Sequence, residues 1–216
     1  KAQRVHINIS SIMVDGRQMM GLNSTTILYF IRHAEPDFSE PDNYKRKLTV
    51  SGEIQAQRLS EIFNDINVDG VYSSPYLRAI KTVEPIAKSK SLNVQLLDQF
   101  RERKSSDYRV SKEKFLGYGK HQWDDFDFKL CGGESLNDVK NRYNTGVRII
   151  INQHAQSQNC IFAVGCHIAG LCAYISQFNL ISNYEEYKKY ASKMPLIVKC
   201  FYKNLKFVSG EICNFK

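Results

Sequence analysis

Two short apolar runs, each leading to a histidine, constrain this chain more than any other feature. Ile27-Leu28-Tyr29-Phe30-Ile31 runs into Arg32-His33, and Ile161-Phe162-Ala163-Val164 runs through Gly165-Cys166 into His167. A third run, Val68-Asp69-Gly70-Val71-Tyr72, turns at Ser73-Ser74-Pro75 into a segment carrying Arg78. Short apolar runs bounded by turn signals read as strands buried on both faces. If the three stop at one edge of a sheet, two imidazoles and two guanidiniums meet there. A group with the charge and size of phosphate suits such a spot, because arginine forks match its oxygens in pairs.

Helical patterns separate these strands. Ser51 reads as an N-cap with Glu53 in the first turn, and Leu59, Ile62, Phe63 and Ile66 recur at helical spacing. Ser74-Pro75 reads as cap and first residue of a second helix, which Pro85 should kink or shorten. Leu92–Leu97 reads as another strand. Residues 103–133 are irregular, charged and aromatic, an insert with some helix expected to cover one edge of the sheet. Ser135 and Asp138 resemble a capping box, and Leu136, Val139, Tyr143, Val147, Ile150 and Ile151 share one face of the helix that follows. A further helix follows His167 through Phe178, and the tail reads as a β-hairpin turned at Lys203-Asn204.

Strands alternating with helices imply an α/β fold: a three-layer α/β/α sandwich with a mostly parallel central sheet. In such sheets ligands bind beyond the carboxyl ends of the strands, where the histidines and arginines fall. Residues 1–24 read as an N-terminal extension of uncertain structure, although Val5–Ile9 alternates like a strand, and 25–216 as a single domain.

Composition narrows the function classes. The 216 residues suit one substantial domain, and no apolar run approaches the ~18 residues needed to span a bilayer. The first residues lack the unbroken apolar centre of a signal peptide, so a cytoplasmic location is expected. Six cysteines form no C-x-x-C pair, and none has an arginine at the offset a cysteine phosphatase needs; they read as reduced, mostly buried thiols. No further ligand stands near Cys166-His167 at zinc-site spacing. The net charge of +8 favours anionic partners, but it is spread without a basic block or an RNA-binding motif, so nucleic acid is not expected.

The residues resemble a known family. Arg32-His33-Ala34-Glu35, Leu48-Thr49-Val50-Ser51-Gly52-Glu53-Ile54-Gln55-Ala56, Ser73-Ser74-Pro75-Tyr76-Leu77-Arg78-Ala79 with Thr82, Phe100-Arg101-Glu102-Arg103, Gly132-Gly133-Glu134-Ser135 and Val164-Gly165-Cys166-His167 are similar, in order, to the motifs of the histidine phosphatase superfamily, also called phosphoglycerate-mutase-like. The resemblance implies that His33 attacks phosphorus and becomes a phosphohistidine. Arg32, Arg78 and His167 would clamp the transferred group, and Glu102 would protonate the leaving oxygen. It implies no metal and no cofactor, and a small phosphorylated substrate. Two positions depart from the pattern: Ile168 replaces the usual glycine after the second histidine, and Cys166 a Ser or Thr. Ile168 is expected to crowd the substrate or alter the backbone.

Alone, either histidine would read as an ordinary buried residue, Arg78 as a helix-surface charge and Glu102 as an ion-pair partner of Arg101 or Arg103; their company favours the site. His6, His121 and His154 lack that company. Trp123 reads as insert core, and Lys45-Arg46-Lys47 as a solvated loop, with contact between Arg46 and a polyanionic substrate as the lesser alternative. Two rivals to a phosphomonoesterase stay open: a cofactor-dependent phosphoglycerate mutase, and a catalytically weak module that binds phosphate ligands. A homodimer through the terminal hairpin's exposed edge is a further possibility.

Overall fold

The computed structural model describes residues 24–106 and 112–213. Val5–Ile9 and the rest of the N-terminal extension before Ser24 lie outside the described residues. The first apolar run becomes β1 (Thr25–Arg32), followed by β2 (Gly70–Ser73), β3 (Val94–Leu96), β4 (Cys160–Cys166), β5 (Leu196–Lys203) and β6 (Lys206–Cys213). They form one sheet in the order β3-β2-β4-β1-β5-β6. β3, β2, β4 and β1 run parallel, whereas β5 is antiparallel to both β1 and β6. In register, Arg32 stands opposite Cys166 and Ser73 opposite Gly165, so the three motif-bearing strands do end at one edge.

Helices cover both faces: α1 (Val50–Ile62), α2 (Leu77–Ser89), α3 (Lys112–Asp124), α4 (Leu136–Gln153), α5 (Ile168–Ser176) and α6 (Tyr184–Ala191). Alternation along the strands decides which side chains go where. Leu28, Phe30, Phe162 and Val164 pack with Val139, Tyr143, Ile150 and Leu171 of α4 and α5. Ile31, Val71 and Ala163 pack on the other face with Leu59 of α1 and with Val83 and Ile86 of α2. Each large side chain so buried contributes ~1.5–3 kcal/mol, and the two-sided burial keeps the strand ends in register. No described helix is long and apolar enough to cross a membrane.

Several local expectations change. Helix α1 is capped by Thr49, whose hydroxyl accepts from Gly52 N–H at 3.0 Å, and not by Ser51. Thr49 is already anchored, since its N–H donates to the Glu35 carbonyl. Helix α2 begins at Leu77 with no cap from the side chain of its N-cap residue Tyr76, while Ser74 Oγ accepts from Tyr76 N–H (3.2 Å) and also pairs with His167. It runs through Pro85 to Ser89: burial of Val83, Ile86 and Ala87 on the sheet offsets the ~3 kcal/mol a proline costs inside a helix. β3 is only Val94–Leu96, and the hairpin turns on Asn204-Leu205, both at positive φ. The insert's helix α3 packs on α6, with Trp123 against Tyr187 (5.4 Å between ring centroids). The Ser135–Asp138 capping box is present.

Candidate active site

His33 is the first residue beyond β1, and its backbone N–H still donates to the Cys166 carbonyl (3.1 Å), extending the ladder. The ring is 5% exposed. Its Nδ1 lies 2.8 Å from the Ala34 carbonyl oxygen. A carbonyl only accepts, so the proton sits on Nδ1 and Nε2 keeps its lone pair. Burial, and then the charge of Arg78, pulls the pKa down to about 3. The ring is therefore neutral at physiological pH, as a nitrogen nucleophile must be.

The motif residues around it act as fasteners. Ala34 N–H donates to Thr82 Oγ1 (2.9 Å), whose hydroxyl donates to the Arg78 carbonyl (2.7 Å), tying the His33 loop to α2. Glu35 accepts from the Thr49 hydroxyl (2.9 Å), and its N–H donates to Gln55 Oε1 (3.0 Å). A Cβ on Gly52 would stand 2.2 Å from the Glu35 carbonyl oxygen, so only glycine allows α1 this close. A Cβ on Gly165 would stand 2.8 Å from Ser73 Oγ and 3.0 Å from the Ala79 carbonyl oxygen.

His167 caps α5 and is fully buried, with its ring centroid 5.2 Å from that of His33. Its Nε2 pairs with Ser74 Oγ (2.8 Å), and its Nδ1 faces Arg78 Nη2 (3.3 Å) and lies 3.9 Å from Glu102 Oε2. Since the guanidinium can only donate, Nδ1 accepts and Nε2–H donates to Ser74. Burial, with the neighbouring positive groups, holds the imidazole pKa well below its usual value. Both ring nitrogens are engaged by Ser74 and Arg78, not by a metal set, and among the described residues no three His, Cys, Asp or Glu stand together as ligands. Cys166 is fully buried, and burial pushes its thiol pKa up.

The two arginines are held differently. Arg78 Nη1 donates to the carbonyl and to Oδ1 of Asn43 (2.7 and 3.0 Å). Arg32 sends Nη1 to the carbonyls of Tyr190, Ala191 and Lys193 (3.5, 2.8 and 2.5 Å), closing the C-terminal end of α6. Its Nε is buried without a hydrogen-bond partner. The Nε–Nη2 edge is the side of a guanidinium that grips two oxygens of one anion. Neither arginine forms an ion pair among the described residues. Burial lowers both guanidinium pKa values, and the nearby Glu102 charge opposes it. Glu102 Oε1 accepts its neighbour Arg103's backbone N–H (2.8 Å), while Arg101, one residue earlier, turns away to Glu134.

Arg32, His33, Arg78 and Glu102 line a cleft of about 390 Å³, with His167 directly beneath. All five residues singled out in the sequence are thus brought together. Ile168 lines the same cleft as the first residue of α5; it has no positive φ, so it narrows the cleft without straining the backbone. His121 is exposed on Phe128, and His154 binds the Tyr72 hydroxyl (2.9 Å), both outside the cleft. Sequence reasoning missed Asn43, Ser74 and the whole of α6, which brings Tyr187 to the cleft. Asn183-x-x-Glu186 was the available signal for α6: Asn183 accepts from Glu186 N–H (3.0 Å), and Glu186 reaches back to Ser182 N–H (2.7 Å). Arg46, expected in a solvated loop, also lines the cleft.

The family model described as histidine phosphatase superfamily (branch 1) matches residues 28–188. The chain belongs to that superfamily. Among curated proteins, "Putative phosphoserine phosphatase 2" of Hydrogenobacter thermophilus is 31% identical over 100 residues, which is 44% of this chain and 45% of that protein. The aligned stretch therefore spans less than half of that relative. The fold matches mycobacterial glucosyl-3-phosphoglycerate phosphatase (TM-score 0.65, 15% identity, 87% of this chain and 97% of that one). It matches equally a phosphoglycerate mutase from Bacillus anthracis (TM-score 0.67, 14% identity, 87% and 92%).

Proposed function

We propose that this histidine phosphatase superfamily member hydrolyses small phosphate monoesters through a phosphohistidine on His33, without a metal ion. The observation that carries this reading is a neutral imidazole, its Nδ1 proton committed to Ala34, beside two guanidiniums that have only neutral partners. The ester phosphate takes the free Arg32 edge and Arg78, whose Nη2 is held by His167 Nδ1 (3.3 Å). These fixed donors face the oxygens over which charge spreads in the transition state. His33 Nε2 forms the P–N bond as the bond to the leaving oxygen breaks, and Glu102 gives that oxygen its proton. In the second half a water, deprotonated by Glu102, attacks phosphorus and frees His33. The phosphatase name of the curated relative supports hydrolysis over transfer. No observation favours a mutase or a mere binding module.

The test is turnover of 4-nitrophenyl phosphate with EDTA present, for wild type and His33→Ala. Chelator-resistant turnover that falls by at least about 10³-fold in the variant is expected. Turnover that survives in His33→Ala, or that EDTA abolishes, refutes the reading. Dependence on a bisphosphorylated primer would point instead to a mutase.

A further inference from the structure

Arg103 lines the cleft outside the phosphoryl clamp, and its surroundings differ from those of the nearby arginines. Arg101 reaches Glu134 through Nη1 and Nη2 (2.6 and 2.9 Å), and Arg142 reaches the same carboxylate through Nε and Nη2 (3.0 and 3.1 Å). With Asp98 also 3.1 Å from Arg101 Nε, those two charges are neutralised in place. Arg103 has no carboxylate within ion-pair distance among the described residues. Its Nη1 donates to Gln122 Oε1, its guanidinium lies 5.0 Å over the Tyr118 ring, and its buried Nε has no hydrogen-bond partner.

Gln122 is itself locked. It is fully buried, and its amide nitrogen donates to the carbonyls of Phe128 and Glu134 (both 2.9 Å), which leaves its oxygen for Arg103. Neutral groups therefore hold a cation in one orientation and leave its charge unspent. Arg46, also in the cleft lining, repeats the pattern: Nε on the Glu40 carbonyl (3.1 Å), Nη1 on Asn43 Oδ1 (3.4 Å), and the plane 5.0 Å over Phe38. The lining thus carries Arg32, Arg46, Arg78 and Arg103 against Glu102. One phosphoryl dianion on Arg32 and Arg78 leaves positive charge over.

We propose that the cleft selects phosphate monoesters bearing a second anionic group, a carboxylate or a second phosphate, and that Arg103 binds that group. This rests on the phosphatase reading, since the ester phosphate has to occupy the clamp. A volume of about 390 Å³ confines both anions to one small molecule.

The experiment compares three probes of matched chain length: propyl phosphate, 3-phosphonooxypropanoate and 1,3-propanediol bisphosphate. Their affinities are measured by calorimetry on His33→Ala, which cannot turn them over, and on His33→Ala/Arg103→Gln. At least one of the doubly anionic probes should bind His33→Ala about tenfold or more tightly than propyl phosphate, and which one does distinguishes carboxylate from phosphate. With Arg103→Gln that preference should fall below about threefold, and Arg103→Lys should restore part of it. Arg103→Met, which keeps an apolar stem over Tyr118, gives the same readout if the glutamine variant does not fold. Equal affinities for all three probes, or a preference that survives loss of the guanidinium, overturn the proposal. Phosphate release by the wild type is followed separately. Its absence for every ester would sink the phosphatase reading, while the affinity ratios would still decide the role of Arg103.

Discussion

Replacing Gly170 with alanine tests how firmly the fold holds His167. Gly170 lies in the first turn of α5, and a Cβ there would stand 2.4 Å from Tyr143 Cε2 and 2.6 Å from its Cζ and Oη. Ordinary contact begins at 3.4 Å, so the ring would have to retreat by the difference, 3.4 − 2.4, or about 1 Å. It has nowhere to go. Tyr143 is fully buried, with ring centroids of Phe100 at 5.3 Å, Tyr174 at 5.9 Å and Phe30 at 6.5 Å. Overpacking costs ~1–3 kcal/mol, and three rings around the clash place this case at ~2–3. For a chain of this size each kcal/mol lowers Tm by ~2–4 °C, so a fall of about 4–12 °C is expected by calorimetry. The Tyr143 hydroxyl also sits 3.5 Å from both the N and the O of His167, so the shift reaches the site. A loss in kcat/KM of up to about 10²-fold should accompany it. Adding Tyr143→Leu removes the clash, and the double variant should be more stable than the sum of the singles by ~1–3 kcal/mol. An unchanged Tm with full activity in Gly170→Ala would refute this account of the α4–α5 contact.

Three other outcomes are expected. Glu102→Gln should cost about 10²–10⁴-fold in kcat with an alkyl phosphate, whose leaving oxygen needs a proton, and far less in formation of the phosphoenzyme from 4-nitrophenyl phosphate. Rapid-quench kinetics separates these, and an equal loss with both esters would remove Glu102 from the acid role. Arg32→Lys keeps the charge but cannot both close α6 and grip two phosphate oxygens, so kcat/KM should fall by about 10²–10³-fold. Hydrogen exchange should quicken in α6 in the same variant, and a protein unaffected in both respects would contradict the double role. The folded pKa of His33, about 3, lies below the ordinary 6.5, so folding favours the neutral ring. Stability present above pH 6.5 should therefore be lost as pH falls toward 3, by up to ~1.4 kcal/mol per pH unit, with His167 adding in the same direction. Urea melts should show a shallower slope in His33→Ala, and imidazole ¹⁵N shifts should report a neutral His33 at pH 5.

The sequence by itself determined what depends on neighbours along the chain. Two-sided apolar runs such as Ile27–Ile31 can be satisfied only inside a covered sheet, and their ends necessarily place His33 and His167 at strand termini. The Ser135–Asp138 cap and the buried face of α4 are likewise local patterns. Only the tertiary structure decided how polar atoms are shared between distant segments. It shared the Ser74 hydroxyl between Tyr76 N–H and His167, and it set the Arg32 Nη1 on carbonyls nearly 160 residues away. Pro85 stays within α2 because sheet contacts outweigh a local penalty. Arg101 and Arg103 flank Glu102 alike in sequence, yet Glu134 neutralises one while Gln122 and Tyr118 leave the other charged at the cleft. Hydrogen bonds and charges are settled by whichever partner the fold brings within about 3 Å, and that distance is not written in sequence order.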